Sequence, residues 1–302
     1  MDVVSYLMGR KKAGGEGSSG GDTLTEFLKF RNGSYLFYRC TNLVEISSSF
    51  ADKITRNSSN FTSTDNMYSC CFKIETIPEM DTSNVISMPY MFNECNTITT
   101  IPKIDTKNVT DMERMFYRCY NLVSIPEIDT SKVTNMKNMF MSCYVLTTIP
   151  SLSMSNVKDA GGMFYSCRSI KTFPEMDFRN HTGTTSNIFY DCSSMQNLVV
   201  KNIKVNLQVG SNTSYGHLLT LDSLTGLIYE LRDTGSSKTL TVGSANLKKL
   251  ADVYVKTIDI TDEMRAEDDF IDEKLPFVVC ESTDEGAMLI TEYVVLKNWQ
   301  LK

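Results

Sequence analysis

Cysteine recurs at one fixed interval in this chain: Cys71, Cys95, Cys119, Cys143 and Cys167 are each 24 residues apart, and Cys192 follows one residue late. Pro78, Pro102, Pro126, Pro150 and Pro174 keep the same interval, so five of the seven prolines share one phase. A fixed period between about 20 and 50 residues is the mark of a stacked array, because a unit that short cannot bury its own apolar face. No other property of the sequence restricts the fold as much.

Each unit has two apolar parts. Met88, Met91, Phe92 and Cys95 stand at i, i+3, i+4 and i+7, the spacing of one helix face. Met112, Met115, Phe116 and Cys119 repeat it, as do Met136, Met139, Phe140 and Cys143. Looser copies are Met67, Tyr68 and Cys71, then Met163, Phe164 and Cys167, then Ile188, Phe189 and Cys192. Leu36, Phe37 and Cys40 form an earlier copy, displaced by an insertion between about 47 and 60.

After each cysteine an extended segment such as "NTITTIP" or "YNLVSIP" runs to proline, which removes a donor and so should close a strand rather than sit inside it. Ile98 and Ile101, Leu122 and Ile125, Leu146 and Ile149, and Ile170 and Phe173 are its inward candidates. "DTSNV", "DTKNV" and "DTSKV" read as turns, with Asp and Ser/Thr side chains bonding nearby amides. The predicted unit is a short strand, an Asp-Thr turn and a short helix, which makes the fold an α/β repeat solenoid. Its core ladder is Cys71, Cys95, Cys119, Cys143, Cys167 and Cys192, with Phe92, Phe116, Phe140, Phe164 and Phe189 beside them.

A buried thiol behaves as a small hydrophobe, so this ladder reads first as packing. Units one strand spacing apart, roughly 4.8 Å, also bring thiols close enough for disulfides in principle. Zinc needs four convergent ligands, usually from tight pairs, and Cys70–Cys71 is the only close pair. Asp81, Asp105, Asp129 and Asp177 recur in phase, with Ser153 interrupting them. Stacked carboxylates suit calcium; turn capping is the simpler reading.

Catalytic constellations are scarce. The chain has two histidines, His181 and His217, and neither lies in a metal-type motif; His181 reads as a turn residue. "GSSKT" at 235–239 lacks the phosphate-loop spacing. A glycosidase needs two carboxylates across a cleft, about 5–9 Å apart. The acidic "EDDFIDE" at 267–273 instead runs along one predicted helix. The expectation is a chain without catalytic residues, cofactor or metal.

The net charge of −6 and isoelectric point near 5.1 offer no basic field for a phosphate backbone, so nucleic acid is not an expected partner. No apolar run reaches the roughly 18–20 residues of a membrane span. "MDVVSYLMGRKK" places its acid first and its basic cluster last, the reverse of a secretory signal. Nine cysteines in a chain without such a signal argue against a disulfide scaffold.

"MDTSNVISMPYMFNEC", "IDTKNVTDMERMFYRC" and "IDTSKVTNMKNMFMSC" resemble the repeats of the BspA-like leucine-rich-repeat family, with signature DTSNVTNMxxMFxxCxxL. The resemblance covers residues 65–198 and, more loosely, 33–46. It implies a right-handed leucine-rich-repeat solenoid used for adhesion or protein recognition, without catalysis. "MDVVSYLMGRKKAGGEGSSGG" is similar to the start of tail-associated structural proteins of phages and prophages of gut Firmicutes. "LTVGSANLKKL" and "EYVVLKNWQLK" are similar to the closing unit of such proteins. Those likenesses imply a virion component assembled in the host cytoplasm; the alternative is a bacterial cell-surface adhesin or interaction scaffold.

The expected organisation is a docking segment at 1–12 that meets a virion or tail protein, and a Gly/Ser linker at 13–22. An N-terminal cap and irregular first coil at 23–64 lead into the repeats at 65–200. A strand-rich transition and α+β cap fill 201–302, since terminal units must cover the open core. Within that cap "GLIYELRD" and "SKTLTVG" read as strands, and a helix is predicted from Ser282 into Trp299. Tail proteins are commonly trimers, so a homo-oligomer stays open, although no heptad pattern supports one.

Exposed tyrosines give large contact area at low entropy cost. Tyr90, Tyr117, Tyr120, Tyr144, Tyr165 and Tyr190 flank the buried stripe and are the candidate contacts to a protein or glycan on a host cell surface.

Overall fold

The computed structural model describes residues 33–179, 181 and 185–202, with 207–209, 219, 220, 223, 227, 238–242 and 299–301 beyond them. The docking segment, the linker and the acidic helix candidate at 267–273 lie outside the described residues, as do 282–298.

Successive 24-residue units lie one on the next. Parallel bridges join Ser63 to Ser87, Ser87 to Asp111, Asp111 to Asn135 and Asn135 to Asp159. The segment predicted to be a helix is a ribbon of consecutive turns. Every second amide closes a turn inside its own unit: Met91 donates to the Met88 carbonyl, Asn93 to Tyr90 and Cys95 to Phe92. The amides between them leave the unit. Those of Met88, Tyr90, Phe92 and Glu94 donate to the carbonyls of Asp111, Glu113, Met115 and Tyr117 at 2.7–3.0 Å.

Tyr90 and Glu94 have φ of 58° and 59°, and Arg114/Arg118, Asn138/Ser142, Gly162/Ser166 and Asn187/Asp191 repeat this pair of left-handed residues. The first of them stands where a type II turn demands positive φ. A non-glycine residue there costs on the order of 1–3 kcal/mol, and the inter-unit bonds hold it. Side chains three and four apart still face inward, so an i, i+3, i+4, i+7 pattern suits this ribbon as well as a helix.

The main inter-unit ladder therefore runs through the ribbon rather than through the extended segment. In the extended segment Val123 donates to Thr99 and Thr147 to Val123, at 2.9 and 3.2 Å. The proline that follows has no amide to add. Only toward the C-terminal side do these segments pair as short strands, β1 (Met176–Asp177) lying parallel to β2 (Val200–Lys201).

The core is a file of aromatic rings. Phe37, Tyr68, Phe92, Phe116, Phe140, Phe164 and Phe189 stack in that order, with centroids 5.2–5.9 Å apart and planes within 10° of parallel. Beside it runs the cysteine file, all six thiols of 71–192 free and buried. Each thiol donates to a carbonyl one unit back: Cys119 to Phe92 at 3.0 Å, Cys143 to Phe116 at 3.1 Å, Cys167 to Phe140 at 3.1 Å. The Phe92 carbonyl also accepts the Cys95 amide, so the thiol occupies its second lone pair. Alanine would fill much of the same space but donate nothing. Burial first, then the next thiol in line, pushes Cys95, Cys119, Cys143 and Cys167 above the usual thiol range.

A second file went unread in the sequence. The buried hydroxyl of Thr82 donates to the Asp105 carbonyl at 2.9 Å and accepts the Asp105 amide at 2.7 Å. Thr106 does the same for Asp129, and Thr130 for Ser153. Ser58 accepts the Asp81 amide at the start of the row, and Met154 takes the next place at its end.

Both margins carry irregular elements. Cys40 precedes Cys71 by 31 residues instead of 24, and the added length forms α1 (Ser48–Asn57), which buries Ile54. Past the array, β3 (Leu207–Val209), β4 (Lys238–Val242) and β5 (Trp299–Leu301) form a parallel sheet in the order β3-β4-β5. Trp299 opens a strand there and does not end a helix. Leu227, expected in a strand, is helical.

Candidate partner-binding face

The six tyrosines are half-buried on the outer side of the turn ribbon. Beside the Met and Phe that turn inward, Tyr90 stands five residues before its cysteine, Tyr117, Tyr165 and Tyr190 two before, and Tyr120 and Tyr144 one after, all partly exposed. Neighbouring units set those residues in files. Tyr120 and Tyr144 stack at 5.0 Å, and Tyr165 and Tyr190 at 4.7 Å.

Arginines fill the intervals. The Arg114 guanidinium lies 5.5 Å from the Tyr90 ring and 5.2 Å from that of Tyr117, while Arg118 lies 5.1 Å from Tyr117. Arg168 covers Tyr144 at 4.9 Å. Acids hold the cations in place: Arg118 meets Glu94 at 3.2 Å and Arg168 meets Asp191 at 2.7 Å. The Tyr90 hydroxyl donates to Glu113 at 2.9 Å.

Sequence reasoning singled out the tyrosines and missed these arginines. The signal was present, since Glu94, Arg118 and Asp191 all stand one residue before a ladder cysteine. Stacking along the repeat axis covers ring faces and leaves edges and hydroxyls outermost. Such a surface meets a ligand through hydrogen bonds and edge contacts more than by laying a ring flat on a sugar. Burial raises the Tyr90, Tyr120 and Tyr165 hydroxyls above their ordinary range, so they remain protonated donors.

The aspartate file caps turns. Asp81, Asp105, Asp129 and Asp177 accept the amides of Ser83, Lys107, Ser131 and Arg179 at 2.8–3.1 Å, and Ser153 contacts the Ser155 hydroxyl. The side chain and then the amide of the residue two positions on hold Asp81, Asp105 and Asp129 below the usual carboxylate range. Burial raises Asp177, but its bonds to Arg179 and Asn202 outweigh that and leave it lowered too. Carboxyls depressed in the folded state stabilise it above their unfolded value, about 3.9, and that contribution fades as pH falls through the folded values. Asp111, raised by burial, works in the opposite direction. The melting temperature is therefore expected to drop between about pH 4 and pH 2. Asp105→Asn with Asp129→Asn should flatten that drop; an unchanged slope would contradict the capping role.

His181 closes a turn, its amide donating to the Phe178 carbonyl at 2.9 Å, and the residue is buried. Its Nδ1 lies 3.1 Å from the Val157 carbonyl and its ring meets Phe178 edge-on at 5.3 Å. His217 lies outside the described residues. Of "GSSKT", Lys238 and Thr239 open β4. Among the described residues no three His, Cys, Asp or Glu side chains converge as metal ligands would, and no helix is long and apolar enough to cross a membrane.

No curated protein and no solved structure matches the chain. Two overlapping stretches, residues 32–123 and 96–203, match one family. They begin just before the first turn ribbon, end just past β2, and together span more than half of the 302 residues. The chain belongs to the family described as "Mycoplasma protein of unknown function, DUF285".

Proposed function

We propose that this is a non-enzymatic recognition protein, a BspA-like leucine-rich-repeat solenoid that presents its tyrosine–arginine face to a protein or glycan on a host cell surface. The observation carrying the reading is that face: six tyrosines and three arginines, layered unit upon unit outside an apolar core. Aromatic and arginine side chains dominate the energetics of recognition surfaces, and a repeat array extends them without new scaffold. The similarity of residues 1–21 to tail-associated proteins supports attachment to a phage tail or virion through residues 1–12.

A second reading is a bacterial surface adhesin or interaction scaffold of the BspA-like type. It is favoured by the family description, which names a cellular organism rather than a virus.

The test is binding of the labelled full chain to a panel of gut Firmicutes cells. Tyr117→Ala, Tyr120→Ala and Tyr144→Ala combined should weaken binding roughly tenfold or more while the circular dichroism spectrum is unchanged. Undiminished binding by the folded triple variant would overturn the proposal.

A further inference from the structure

The cysteine file has one member that differs from the rest. Cys71, Cys95, Cys119, Cys143, Cys167 and Cys192 are buried, whereas Cys40 at the N-terminal margin is partly exposed. Cys40 and Cys71 converge on one atom: the Phe37 carbonyl accepts the Cys40 amide at 2.9 Å and the Cys71 thiol at 3.1 Å. The Cys40 side chain is also the largest single influence on the Cys71 thiol, pushing it above the usual thiol range. The rings beside them, Phe37 and Tyr68, stack at 5.2 Å, the shortest spacing in the aromatic file. The Cys40 amide nitrogen and the Cys71 sulfur, each held on the one Phe37 oxygen, therefore stand no more than about 6 Å apart, close enough for the short Cys40 side chain to reach. In the inner units both thiols of each neighbouring pair are enclosed, so an oxidant has no approach. Within the file, only at the margin does a reachable thiol neighbour a buried one.

We propose that Cys40 and Cys71 are a disulfide-forming pair, closed by exchange with a small oxidised disulfide. The Cys40 thiolate attacks one sulfur of the oxidant, giving a mixed disulfide and one released thiol. Cys71 then loses its proton and attacks the Cys40 sulfur; the Cys40–Cys71 bond forms and the second thiol leaves. The oxidant gains the two electrons that the two cysteines lose. The bond ties the irregular first coil and α1 to the regular array. It would form where oxidised disulfides persist, outside the reducing cytosol, and it does not depend on which partner the tyrosine face meets.

Cys70 is the competitor, partly exposed and directed away from the file toward Glu94, whose Oε2 is 3.9 Å from its sulfur. The test treats the reduced full chain with oxidised glutathione at pH 8 without denaturant, then quenches, denatures and maps peptides by mass spectrometry. The expected result is a Cys40–Cys71 cross-link with loss of two of the nine thiols. It should persist in Cys70→Ser, vanish in Cys40→Ser and raise the melting temperature until dithiothreitol is added. Glutathione left on Cys40 without transfer to Cys71, or cross-links among the inner cysteines instead, would overturn the proposal.

Discussion

Phe116→Ala is expected to lower stability by about 3–5 kcal/mol, the cost of emptying a fully enclosed aromatic site. Phe116 sits in the middle of the ring file, 5.5 Å from Phe92 on one side and from Phe140 on the other, with no exposed surface. Each unit is bonded to its neighbours through the ribbon amides on both sides of this residue. The units therefore cannot close together to refill the gap without breaking those bonds. Phe116→Leu, which restores much of the volume, should cost clearly less. Urea denaturation of the three proteins measures both differences. A loss below about 1 kcal/mol for the alanine variant would mean that the ring is not part of a packed file.

Thr106→Val carries the second large effect. The two side chains are nearly equal in shape, so the exchange removes the hydroxyl without opening a cavity. That hydroxyl accepts the Asp129 amide at 2.8 Å and donates to the Asp129 carbonyl at 2.9 Å. Thr106 is 2% exposed, so water cannot take its place. Two backbone groups of the next unit then lose a partner at once, at about 1–3 kcal/mol for each group left unsatisfied. Thr110→Val on the exposed outer row is the control, where solvent compensates. Denaturation midpoints of the two variants should differ widely; equal midpoints would remove the threonine file from the account.

The period and the inward residues were legible in the sequence because both follow from spacing alone. Cys95 and Cys119, or Phe92 and Phe116, hold one phase, and the structure buries them side by side. The backbone that delivers them was not legible. A helix and a ribbon of turns with left-handed residues every fourth position present the same i, i+3, i+4, i+7 face. The one local clue, Gly162 at φ 63°, appears in a single unit, while Tyr90, Arg114 and Asn138 carry the same conformation elsewhere. The thiol bonds and the threonine bridges were hidden for a related reason. A period shows that Cys119 and Thr106 recur, but their acceptors lie on backbone atoms one unit away. The tyrosines were visible as a pattern; Arg114 shares the phase of Tyr90 and Arg168 that of Tyr120 and Tyr144, but their contacts with rings of the neighbouring unit gain meaning only when units stack.

Two in-frame deletions test the stacking itself. Removing residues 105–128 takes out one complete unit and brings Ile104 up to Asp129 in the place of Ile128; removing residues 105–116 takes out half a unit. In an array held by neighbour contacts, losing a whole unit leaves every remaining interface of the same kind, while losing half a unit breaks the register of everything that follows. Cooperative urea unfolding of both proteins, with native alkylation of Cys95 and Cys143, is the direct measurement. The account predicts that the larger deletion still unfolds cooperatively with both thiols protected, and that the smaller one does not. Two deletions with the same effect, whether harmless or ruinous, would contradict a stack built in steps of 24 residues.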